Sequence, residues 1–171
     1  MIVLDNGTLR VEMCTPGEHP SDGVRFDRAG FITEVVLNNE MHFCANENKN
    51  NGHPTTYGRG LCCEYQWNGG SEAKVGERYP KLGVGLILKE DEEPYKFFGT
   101  YDVEPFPVTW EETGSSVIFN TGAVPCLGYA AEEKKTVSID GNVLTIEWEL
   151  KNVGEKTIKT GEYCHNFINV D

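Results

Sequence analysis

The chain has 171 residues, enough for one domain with a sizeable core, and its 39% hydrophobic and 11% aromatic content excludes wholesale disorder. A formal charge of −12, from 27 acidic against 15 basic residues, repels nucleic acid phosphates and anionic membranes, so neither is an expected partner. The first residues, Met1-Ile2-Val3-Leu4-Asp5-Asn6-Gly7, do not have the pattern of a secretory signal, and no apolar run reaches transmembrane length. A cytoplasmic location is the expectation, with Cys14, Cys44, Cys62, Cys63, Cys126 and Cys164 as reduced thiols.

Strand signals begin at once and helix signals are nearly absent. Leu9-Arg10-Val11-Glu12-Met13 alternates cleanly. Residues 31–37 read as a strand that turns at Asn38-Asn39-Glu40 and returns through 41–44 as a hairpin. Residues 45–80 read as a long loop, beginning with the polar run 46–54. Its Tyr57, Arg59, Tyr65 and Trp67 favour function, because a solvated linker would not carry them. Gly83-Val84-Gly85 is too short to recognise phosphate and reads as a strand under a closely packed neighbour. Val117-Ile118-Phe119 is a short buried run. Residues 134–139 and 143–150 flank Asp140-Gly141-Asn142, the strongest hairpin signal in the chain. With residues 156–170 as a final strand, these segments form a three-stranded antiparallel meander, and the expected fold is an all-β antiparallel sandwich.

The candidate chemistry is sparse. There is no nucleophile elbow, P-loop or dinucleotide fingerprint, and no cofactor is expected. His19, His42, His53 and His165 lack ligand spacing and no Cys-x-x-Cys occurs, so no metal site is expected either. In the last segment, Tyr163, His165 and Phe167 share one strand face, and Cys164, Asn166 and Ile168 share the other. His165 is then either a proton donor or acceptor beside a stacked ring-shaped ligand, or a partly buried histidine bonded to its neighbours. Arg59, Lys81 and His165 with Tyr57, Tyr65, Trp67, Tyr163 and Phe167 suit a sugar: planar polar groups bridge hydroxyls and aromatic faces cover the C–H side of the ring. For Arg59 a surface salt bridge is the plainer alternative in so acidic a chain.

Four segments carry a resemblance: Val24-Arg25-Phe26-Asp27-Arg28-Ala29-Gly30-Phe31-Ile32, read as an early hairpin; Arg59-Gly60-Leu61-Cys62; Tyr79-Pro80-Lys81-Leu82-Gly83-Val84-Gly85; and Glu162-Tyr163-Cys164-His165-Asn166-Phe167. In order and spacing they resemble the galactose mutarotase-like superfamily, which includes the aldose 1-epimerases. The resemblance implies one supersandwich domain over 1–171, a monosaccharide or sugar derivative as ligand, and cofactor-free ring opening and reclosure at the anomeric carbon. It implies His165 as the acid, with Arg59, Lys81, Tyr65, Trp67 and Tyr163 binding the sugar. Two departures stand out. Leu82, beside Lys81, holds a position where many members have a second histidine. The family's general-base glutamate and a sugar-binding aspartate lie beyond the segment matched by His165. The chain is therefore expected to be the N-terminal portion of such a domain, pairing as a homodimer. A non-catalytic sugar-binding or interaction module without the base is the alternative.

Overall fold

A computed structural model describes residues 1–18, 23–47 and 58–169. Tyr57, His19, His53 and most of the polar loop 46–54 lie outside the described residues. Thirteen strands and no helix occur among the described residues. They are β1 (Ile2–Asp5), β2 (Leu9–Met13), β3 (Ile32–Leu37), β4 (Met41–His42), β5 (Leu61–Tyr65), β6 (Arg78–Lys81) and β7 (Gly85–Leu88). The second half adds β8 (Val103–Pro105), β9 (Val108–Glu112), β10 (Ser116–Thr121), β11 (Ala131–Asp140), β12 (Val143–Asn152) and β13 (Glu162–Asn166).

The strands form three antiparallel sheets. One runs β1-β2-β3-β5-β13, with β4 also on β3; the second runs β12-β11-β10-β9; the third is β6-β7-β8. The alternation of Leu9, Val11 and Met13 on β2 and of Val117 and Phe119 on β10 turns both rows inward. With Ile2, Leu4, Ile32, Val35, Val137 and Ile139 they make the main core between the first two sheets. Burial of such rows, at about 25 cal/mol per Å² of apolar surface, holds the sandwich together. Asn6 ties the rim, its side-chain amide donating to the Gly141 carbonyl at 2.9 Å.

Several elements differ from expectation. Residues 61–65 and 78–81 are strands, where a long loop was expected. The hairpin at 38–40 forms, with Asn38 and Asn39 at φ 54° and 58°, a left-handed conformation that asparagine tolerates. In the second hairpin Asp140 pairs with Val143, so the central residues are Gly141-Asn142, one place later than Asp-Gly suggests. Residues 24–31 are irregular and form no hairpin. They lie along β5, the Asp27 amide donating to Cys63 O and the Arg28 amide to Gly83 O at 2.8 and 2.9 Å. Gly83 is in a turn; it is Gly85, with Glu104 O only 2.3 Å from where a Cβ would stand, that permits close backbone approach. The last strand is shorter than expected and does not extend the meander. It crosses to the first sheet and pairs with β5.

Candidate functional site

The β5–β13 pair builds the site. Its register places Tyr163 opposite Glu64 and His165 opposite Cys62. Alternation then puts Glu64, Cys62, Tyr163 and His165 on one face, and Cys63, Tyr65, Glu162 and Cys164 on the other.

On the first face Arg25 is the hub. Its Nε donates to Glu64 Oε2 at 2.8 Å, one terminal nitrogen to Glu47 Oε1 at 3.1 Å, and the other to the Tyr163 hydroxyl at 3.2 Å. Three of the five guanidinium N–H groups are thus committed. The Tyr163 hydroxyl in turn donates to Glu64 Oε2. Burial works against the Arg25 charge, but its bonds to Tyr163 and Glu64 outweigh that and hold it more firmly than usual. The Tyr163 hydroxyl is pushed up by burial and by the Glu64 carboxylate.

Aromatic rings frame this hub. The Arg25 guanidinium lies 4.7 Å from the Phe26 ring centre and 4.8 Å from that of Phe97, which is 43% exposed. Tyr95 anchors the Phe97 segment by donating to Val24 O at 3.1 Å. His165 stacks on Phe167 at 4.4 Å with 15° between planes, and Phe26 meets both rings edge-on. The backbone at Gly58 lies against Phe167; a Cβ there would stand 1.9 Å from the ring, so only glycine fits. Gly58 N donates to Glu47 Oε2 at 2.8 Å, linking this approach to the arginine.

The chain matches no family model, no curated protein and no solved structure.

Of the residues singled out from sequence, the structure brings Tyr163, His165 and Phe167 together. Arg59, between Gly58 and Gly60, is exposed, its Nε donates to Thr33 O at 3.2 Å, and it forms no ion pair among the described residues. Arg25, not Arg59, meets the carboxylate beside Tyr163. Lys81 is fully buried, with Nζ donating to Tyr65 O. Burial pulls it down to about 8, against the pull of Glu64 and Asp27. It supports β5 from beneath. Tyr65 points the opposite way from His165, its buried hydroxyl turned toward Glu133. Trp67 packs on Tyr129 with ring centres 4.6 Å apart, beside the Tyr129–Glu72–Lys156 cluster.

Sequence reasoning passed over Arg25 as a site residue and missed Glu64. No local signal marked Glu64, because Cys62-Cys63-Glu64-Tyr65 is buried throughout and shows no alternation. Cys63 and Tyr65 on the opposite face of the same pair lie beside a buried ionic cluster. Lys135 bridges Asp27 and donates to Ala29 O at 2.5 Å, and both charged side chains are almost wholly enclosed. Glu133 sits close by, pushed up to about 8 by burial and by Asp27.

Proposed function

We propose that the Arg25–His165 face binds a monosaccharide or sugar derivative, and that the chain is related to the aldose 1-epimerases. One observation carries this reading: an imidazole stacked on a phenyl ring shares a face with an arginine–carboxylate–phenol network. Sugars present hydroxyls to such networks and C–H faces to such rings. In the catalytic form His165 donates a proton to the ring oxygen while a carboxylate takes the anomeric hydroxyl proton. The hemiacetal C–O bond opens, the aldehyde rotates, and reversal of both transfers closes the other anomer. Acid and base each contribute about 10²–10⁴-fold in typical cases.

A specific observation favours the non-catalytic alternative. Among the described residues, both carboxylates bonded to Arg25 on this face, Glu64 and Glu47, are held in ion pairs at 2.8 and 3.1 Å. Oxygens that already accept from the guanidinium are not free to face an anomeric hydroxyl. Polarimetry on a freshly dissolved single anomer separates the two forms. Mutarotation above the spontaneous rate that His165→Asn removes, with sugar binding retained, supports the enzyme. Binding without rate enhancement supports the module. No binding of any aldose by calorimetry refutes both.

A homodimer belongs to the same reading. β12 is a ten-residue edge strand with Val143 and Leu150 exposed, a surface suited to a second copy. Sedimentation as a stable monomer at micromolar concentration would contradict it.

A further inference from the structure

On the reverse of the strand that carries His165, Cys63, Cys164 and Glu162 offer two sulfurs and a carboxylate oxygen within 4.8 Å of one another. We infer that they form a site for a thiophilic divalent cation of the zinc class, independent of the sugar-binding reading.

The register explains why they converge. Gly60 bonds Phe167 and Gln66 bonds Gly161 across the ladder, so by alternation Cys63 and Cys164 occupy a non-hydrogen-bonded position. There opposing Cα atoms are only about 4.5 Å apart and side chains approach most closely. Glu162 precedes Cys164 by two residues and therefore points to the same face. The two sulfurs lie 3.5 Å apart, and Cys164 Sγ lies 3.8 Å from Glu162 Oε1.

These separations can be set against a tetrahedral ion. Metal–sulfur bonds of about 2.3 Å and metal–oxygen bonds of about 2.1 Å require sulfur–sulfur and sulfur–oxygen edges of about 3.8 and 3.6 Å. Each observed distance is within a few tenths of an ångström of its edge. Cys164 and Glu162 are exposed and give an entry path, while Cys63 forms the buried floor. Three protein ligands leave the fourth position for water or an external ligand. Binding must displace the proton from Cys63, whose thiol burial holds far above its ordinary range; the neighbouring Lys135 charge opposes that burial effect. Two thiolates in the set favour zinc over magnesium or calcium, which take oxygen ligands.

The test is titration of the intact chain with Co²⁺ as the probe, without oxygen and with a phosphine reductant. The expected result is a thiolate-to-cobalt charge-transfer band in the near ultraviolet, with visible bands of tetrahedral intensity that Zn²⁺ abolishes. Cys164→Ser should remove the charge-transfer band from its own sulfur and weaken binding at least about 100-fold. Glu162→Gln should weaken it at least about tenfold, the lower bound seen for residues that merely support metal ligands. Both positions are exposed, and circular dichroism checks that each variant keeps its strands. Weak octahedral bands without charge transfer would overturn the inference, as would binding unchanged in Cys164→Ser. So would a chain that, in air, only loses two mass units to a Cys63–Cys164 disulfide and binds no metal when reduced.

Discussion

The two faces of the β5–β13 pair share one backbone and solve opposite problems. The face of Glu64 and Tyr163 satisfies an arginine with three acceptors and leaves Phe97 in solvent. The face of Tyr65 turns toward Asp27, Glu133 and Lys135, where charges are enclosed. Enclosure makes the charges of the Asp27–Lys135 pair expensive to orphan. The face toward Asp27 and Lys135, the inner one, is therefore expected to govern stability more than the outer face of Glu64 and Tyr163.

The largest expected effect is on the inner face. Lys135→Met leaves Asp27 charged, buried and unpaired, and should cost about 3–5 kcal/mol in denaturant unfolding. Adding Asp27→Asn should recover part of that loss; an additive double variant would show that the pair does not act as a unit.

Next in size is pH. The Glu133 carboxyl titrates near 8 in the folded chain against an ordinary 4.5. Between those values the folded chain keeps a proton that the unfolded chain has lost, so stability should fall as pH rises through that window. The slope should approach about 1.4 kcal/mol per pH unit, and Glu133→Gln should flatten it. A slope of the opposite sign in the variant's difference curve would show that Glu133 is ionised in the fold.

Outer-face changes should be milder. Tyr163→Phe removes one hydroxyl between Arg25 and Glu64 and should cost about 1 kcal/mol. His165→Ala loses a stacked ring pair at roughly 0.5–1.5 kcal/mol, comparable to Tyr163→Phe, and on the proposed function should reduce sugar affinity. A loss as large as that of Lys135→Met would erase the distinction between the faces.

Much of the scaffold was legible because it is local. β2, β3 and the β11–β12 hairpin declare themselves by alternation between turn residues, and alternation alone grouped Tyr163, His165 and Phe167. β5 was not legible. Its Cys62-Cys63-Glu64-Tyr65 is buried on both faces and lacks the polar rhythm of a half-exposed strand. Arg25 was passed over for a related reason. Arg25 reaches Tyr163 across 138 positions, through a strand pairing that no local pattern announces, while Arg59 stood beside the segment that looked functional.

That long-range pairing also sets an order of events as the chain folds. Ile139 and Leu144 meet across a two-residue turn, and β10 joins β11 after a short connection. Cys63 and Cys164 must find each other across 101 positions, and closing so long a loop delays the contact until the rest of the sandwich can reward it. The face that carries His165 is then expected to form after the β11–β12 hairpin, on which it leans for none of its chemistry. During refolding, amide protons of β11 and β12 should be protected from exchange before those of β13.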